Sequence, residues 1–323
     1  MNTACIICDN SENNTSIAVK ELQLGLGEVL DYQQCSNCGS LQLQDIPTDL
    51  GKYYPNNNYY SFNLGVAVSQ KVDSFRKAQA DYLLFNKNIL AGNLFTIGFK
   101  MPDYYHWLKN TGTKYSDAVL DIGTGNGSLL AKLSRIGFNN LTGIDPFINE
   151  SKEYGKIKIL KRNVFEVVEQ YDLVMMHHSF EHMFEPKKVL QQLKNIMNQD
   201  GKLLIRIPVM GNYGWKKYGG CWSGIDAPRH IFIPTEKALR MMMTEAGFEI
   251  ERFEYDSNDY VIWSSEQYLK GIALQDSKSY MIDPKASIFT KEQIKEFKKI
   301  MKKENEKGNG DTAAIYLRKK IIL

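Results

Sequence analysis

Between positions 115 and 210, apolar residues fall in short unbroken runs separated by polar, partly amphipathic stretches, the pattern of strands buried on both faces that alternate with helices. The run 118–122 (Ala-Val-Leu-Asp-Ile) predicts a strand, Gly123 to Gly127 a turn, and the Ser-Leu-Leu-Ala-Lys-Leu of 128–133 a helix. Further strands are predicted at 141–145, 157–160, 171–176 and 201–208. Beyond them, 248–255 alternates like a strand, 290–303 sets Ile294, Phe297, Ile300 and Met301 at helical spacing, and 312–317 supplies a last strand, suiting an antiparallel final pair. Upstream, 66–87 has helical spacing with Phe75, Tyr82 and Leu83 on an apolar side, and 102–109 reads as another helical piece. Between them and the N-terminus, the Asn- and Pro-rich stretch 52–60 breaks regular structure, and its tyrosines read as packing or entrance residues. The predicted fold class is α/β.

The turn after the first of these strands carries the chemistry. Asp121, Gly123, Gly125 and Gly127 form D-x-G-x-G-x-G, an acid and alternating glycines that let backbone approach a nucleoside ligand closely. A dinucleotide fingerprint would need its third glycine at 128, to pack the helix on the strand and bring a pyrophosphate to the helix N-terminus. That position is Ser128.

With these residues, the chain resembles the class I S-adenosylmethionine (SAM)-dependent methyltransferases. The resemblance implies a Rossmann-like, seven-stranded sheet and SAM as cofactor. Asp145, ending the second strand, would accept from both ribose hydroxyls. Asn163 stands where many such enzymes have an aspartate for the adenine amino group; an amide oxygen accepts the same bond without charge assistance. His177, at the end of the fourth strand, joins Asp121, Gly123, Gly125 and Gly127 among the expected cofactor-binding residues.

A methyl transfer to a hydroxyl needs a proton acceptor beside the acceptor atom. Of the histidines, only His106 lies away from the ends of strands four and five; His177, His178, His182 and His230 fall in the loops that follow them. His178, Glu181, His182 and His230 are therefore the expected catalytic residues. The segment Trp222-Ser-Gly224-Ile-Asp226-Ala-Pro228-Arg229-His230 is similar to the W-x-G-x-D-x-P-R-H stretch of bacterial methyltransferases that carry Glu-His after strand four, among them enzymes of sugar nucleotides. That resemblance implies a small hydroxylated acceptor, such as a sugar or nucleotide sugar. His178-x-x-Glu181-His182 is also similar to the E-x-x-E-H of methyltransferases that hold a divalent ion beside the acceptor oxygen, so a metal-assisted O-methyltransferase is an alternative. A third reading is a binding or assembly protein with a vestigial SAM fold. The same string matches the H-x-x-E-H of zinc proteases, but those need it within a helix. Neither an Asp/Asn-Pro-Pro-Tyr nor a Pro-Cys follows strand four, which argues against methylation of nucleic-acid bases.

Cysteine spacing adds a second domain. Cys5-x-x-Cys8 and Cys35-x-x-Cys38 present four thiolates as two knuckles for a structural zinc, with 16–32 free to form a hairpin between them. Cys221 stands alone. The expected organisation is a zinc-binding module at 1–50, a connector and helical lid at 51–114, and the methyltransferase domain at 115–323, with substrate-binding insertions near 209–235 and 256–290.

Composition changes this picture little. In 323 residues, 40 Lys and Arg against 37 Asp and Glu leave a net charge of +3, too small for the electrostatic footprint of a nucleic-acid-binding face. The basic 291–307 stretch interleaves glutamates and reads as a solvated helix face. No run approaches the roughly 18 apolar residues of a membrane span, and no basic-then-apolar leader opens the chain, so a cytoplasmic location is expected. Nothing in the sequence sets the oligomeric state.

Overall fold

A computed structural model of the chain describes residues 4–54, 72–87, 92, 94, 96 and 98–320. The 66–71 part of the first predicted helix, and Tyr59 and Tyr60 of the connector, lie outside the described residues. The chain divides into two compact units, one of Met1–Pro55, His178–Lys188 and Arg206–Ile315, the other of Asn56–His177, Val189–Ile205 and Tyr316–Leu323.

In chain order the strands are β1 (Thr15–Lys20), β2 (Val29–Gln34), β3 (Leu41–Leu43), β4 (Ala118–Ile122), β5 (Asn140–Ile144), β6 (Lys152–Tyr154), β7 (Ile157–Leu160), β8 (Tyr171–His177), β9 (Met197–Pro208), β10 (Phe232–Ile233), β11 (Phe248–Tyr255) and β12 (Thr312–Lys319). Eight of them form one sheet in the order β11-β12-β9-β8-β4-β5-β7-β6. Within it β4 pairs in parallel with both β5 and β8, and β5 with β7. Val119, Leu120 and Ile122 of β4 and Leu173 to Met176 of β8 are buried, as their unbroken apolar runs require of strands covered on both faces. This is the α/β, Rossmann-like class I methyltransferase fold.

The strand count is eight rather than seven. The addition is β6, a three-residue strand antiparallel to β7 at the sheet edge, too short and too polar for periodicity to register. β9 also starts earlier than its apolar run. Its polar opening is held by Asn198, whose amide donates to Asp172 at 2.6 Å, and by Gly201, where a Cβ would stand 3.0 Å from the Tyr171 carbonyl.

The helix after the glycine turn spans Ser128–Arg135; Leu130, Ala131 and Leu133 are buried, and Lys132 and Arg135 in its last turn complement the helix dipole. Ser74–Phe85 and Asp103–Thr111 are the two upstream helices. The long C-terminal helix, Lys291–Glu306, begins with a capping box in which Thr290 and Gln293 satisfy each other's backbone amides.

The other unit contains a four-stranded sheet of order β1-β2-β3-β10. β1 and β2 form the hairpin expected between the cysteine pairs. β10, which periodicity does not predict, pairs its two residues antiparallel with β3 and begins two residues after His230. A further core, of Trp263, Tyr268, Leu274 and Ile294, joins the helices Tyr260–Leu269 and Lys291–Glu306. Among the described residues no helix is long and apolar enough to cross a membrane.

Candidate functional site

The glycine turn is held by its own backbone. Gly123 donates to the Ile144 carbonyl at 2.9 Å and Gly127 to Thr124 at 3.0 Å, with φ between +54° and +77° at Gly123, Gly125 and Gly127. At Gly127 a side chain fails twice: φ is +76°, and a Cβ would run into Ile159. Asp121 is buried, and its carboxylate accepts from the Thr124 hydroxyl at 2.9 Å. Burial, aided by the nearby Asp145 charge, pushes the Asp121 carboxyl up to about 7.

Asp145 is brought to this turn. One carboxylate oxygen accepts from the Gly125 amide at 3.1 Å and the other from Phe147 at 2.8 Å, so the acid orders the turn. A carboxylate offers about four lone-pair sites, the acceptor chemistry that a diol calls for. Asn163 is exposed and caps the short helical turn Val164–Glu166, its oxygen accepting from Phe165 at 2.8 Å. The ring of His177 packs on Trp107, with centroids 4.3 Å apart.

The expected catalytic residues gather in the unit that also holds the cysteines. His178 stands at φ +51°, a left-handed conformation uncommon for a histidine, and its Nδ1 lies 3.4 Å from Glu181 Oε1. Glu181 is fully buried, and neither of its carboxylate oxygens has a hydrogen-bond partner. His182 Nδ1 lies 2.7 Å from the Arg229 carbonyl and His230 Nδ1 lies 2.9 Å from the Gly224 carbonyl. A carbonyl only accepts, so each Nδ1 carries a proton, and in the neutral ring it is Nε2 that keeps the lone pair. His230 Nε2 is 3.7 Å from Glu181 Oε1, and the two imidazole centroids are 4.9 Å apart. Burial pushes His230 down to about 4, so it is neutral at pH 7. Burial works to raise Glu181, but the 3.4 Å contact with His178 and the surrounding imidazoles outweigh it and leave the carboxyl below its usual range.

Three neighbours were not singled out in the sequence. Arg229, almost fully buried, makes a two-pronged ion pair with Asp226 and donates through Nη1 to the Tyr53 carbonyl at 2.9 Å. Asp226 Oδ2 also lies 3.7 Å from His230 Nε2. Tyr54 places its hydroxyl 3.4 Å from His182 Nδ1. The Asp-x-Pro-Arg-His string held the signal for the first two, and Tyr54 is one of the connector tyrosines that read from the sequence as packing or entrance residues. Phe180 of the turn carrying Glu181 meets Phe232 of β10 edge-to-face at 5.4 Å, which fixes the two site loops against each other.

The four cysteines converge. Cys5 and Cys38 sulfurs are 3.6 Å apart, those of Cys8 and Cys35 are 3.4 Å apart, and all are free thiols. A tetrahedral zinc with sulfurs at about 2.3 Å would separate them by about 3.8 Å, so the set fits that ion. The Cys38 amide turns toward the Cys35 sulfur at 3.5 Å, and Gly39 closes the knuckle at φ +75°.

Fold and turn together define the class I SAM-dependent methyltransferases. Residues 101–252 match the family model described as a methyltransferase domain, and the chain carries such a domain. The EEF1A lysine methyltransferase 2 of Danio rerio is 54% identical over 39 residues, which is 12% of this chain and 17% of that protein. Its Homo sapiens counterpart is 49% identical over 39 residues, 12% of this chain and 16% of that protein. The chain thus spans about a sixth of the length of the curated relatives it matches. Among solved structures, the cyclopropane synthase MmaA2 from Mycobacterium tuberculosis is similar at 16% identity, covering 77% of this chain and 99% of that one, with a TM-score of 0.45.

Proposed function

We propose that the protein transfers a methyl group from SAM to a small hydroxylated acceptor, such as a sugar or nucleotide sugar. The observation that carries the cofactor reading is the turn in which Asp145 accepts from the Gly125 amide, which sets a buried carboxylate beside the glycines. Asp121, Gly123, Gly125, Gly127 and Asp145 would hold SAM, with Asn163 and His177 toward the adenine side. When bound, the cofactor supplies a methyl group on a sulfonium. The protein's task is then alignment and removal of the acceptor proton. The group of Glu181, His182 and His230, with His178 beside it, supplies the proton acceptor, since both Nε2 lone pairs are left available.

Cys5, Cys8, Cys35 and Cys38 hold a structural zinc in this reading. Residues 1–50 serve as its module, 51–114 as connector and lid, and 115–323 as the transferase domain with its insertions.

The test is calorimetry with SAM and its demethylated product. Asp145→Ala removes charge-assisted bonds worth about 1.5–3 kcal/mol, so SAM should weaken roughly ten- to a hundredfold. A protein that binds neither compound would be a vestigial fold. His182→Ala or His230→Ala should lower turnover roughly a hundred- to ten-thousandfold while SAM affinity holds, and full activity in both would remove the proton-acceptor role.

A further inference from the structure

Glu181 presents an unusual arrangement. Its carboxylate is fully buried with neither oxygen hydrogen-bonded, a state that is costly unless a cation neutralises it. The Arg229 guanidinium is committed to Asp226 by two bonds and to the Tyr53 carbonyl by a third. Glu181 is surrounded by imidazoles, with His178 Nδ1 at 3.4 Å and beside it the pair of His182 and His230. Each has its Nδ1 proton fixed on a backbone carbonyl, the outer contact that orients metal-ligating histidines and fixes their tautomer. One donor atom from each of Glu181, His182 and His230 lies within 4.8 Å of the others. An ion with donors at about 2.0–2.2 Å separates neighbouring donors by about 3.3–3.6 Å, close to the 3.7 Å between His230 Nε2 and Glu181 Oε1.

We propose that Glu181, His182 and His230 bind a divalent transition-metal ion, distinct from the tetrathiolate zinc. Two imidazoles and one carboxylate suit zinc, manganese or iron(II), whereas magnesium and calcium call for oxygen donors throughout. Three protein donors leave a coordination position open, which fits an acceptor that offers an oxygen, a hydroxyl or a carboxylate. His178 and Asp226, at 3.4 and 3.7 Å from members of the triad, stand beside it and orient it. With the ion bound, the Nε2 lone pairs would be committed to it, and its open position would take over from a free imidazole the task of activating the acceptor hydroxyl; that use rests on the methyl-transfer reading above, whereas binding of the ion does not.

The full-length protein should be freed of loosely held metal with a mild chelator, then titrated with zinc and manganese by calorimetry, with magnesium as control. Elemental analysis and SAM binding are measured on the same samples. The wild type should keep one tight zinc and take up one further equivalent of zinc or manganese. Glu181→Gln, His182→Ala and His230→Ala should each weaken that second equivalent at least a hundredfold while keeping the tight zinc and SAM affinity. Nitrogen hyperfine coupling from two imidazoles, read on bound copper(II) in the wild type, decides the matter should a variant fail to fold. A wild type with no second equivalent at millimolar metal, or variants that retain it, would overturn the proposal. Second-ion uptake in a protein that binds no SAM would uphold the site and remove the methyl-transfer reading instead.

Discussion

Asp121 sits where its charge is least welcome. Its carboxyl is raised from 3.8 to about 7, first by burial and then by Asp145, against the Thr124 hydroxyl that favours the ionised form. The folded chain therefore holds a proton that the unfolded chain releases above about pH 4. This group's contribution to native stability should be greatest below that value, fall as pH rises from about 4 to 7 by at most ~1.4 kcal/mol per unit, and level off above. Asp121→Asn should remove that slope while keeping an acceptor for Thr124. Urea midpoints measured from pH 4.5 to 8 check this, and parallel curves for the two proteins would show that the carboxyl is not raised.

At the level of elements, the site depends on what lies behind it. Glu181 and His182 occupy a single turn of helix and His230 a loop, neither of which could hold geometry alone. Phe180 and Phe232 pack edge-to-face beneath them, and Ile231 donates to the Glu181 carbonyl at 2.9 Å. Phe232→Ala should cost about 3–5 kcal/mol as a buried aromatic truncation, and should lower turnover more than SAM affinity. A melting temperature and a rate both unchanged would break that link. The sequence made the glycine turn, the Asp145 strand end and the Glu181–His182 pair legible, because each depends on residues close in the chain. It did not reveal β10, the contact of Tyr54 with His182 or the Arg229 contacts, because a two-residue strand has no period and residues this far apart in the chain meet only through folding. The left-handed backbone at His178 was equally hidden, since φ is set by surroundings rather than by residue type.

Across the larger structure, the cysteine knuckles and the histidine loop share one unit. Thr235 donates to the Cys38 carbonyl at 2.6 Å, and β3 pairs with β10. Loss of zinc should therefore reach beyond the first fifty residues. Cys35→Ser should release the metal, lower the melting temperature and abolish most turnover, while SAM affinity, set by the other unit, changes little. Elemental analysis, thermal melts and calorimetry together check this; full activity in a zinc-free variant would separate module from site.

The bond from the Tyr32 hydroxyl to the His230 carbonyl joins residues 198 apart in the chain. At about 5–20 residues per second, the ribosome delivers the second partner some 10–40 s after the first. The four knuckle cysteines are all made by position 38 and, in the zinc reading, can capture the ion at once, while β3 waits with an open edge for β10. Such a distant pairing is slow to find and adhesive until found. Early metal capture would then act as a holding step in synthesis, keeping the first hairpin ordered until the residues that complete the histidine loop emerge.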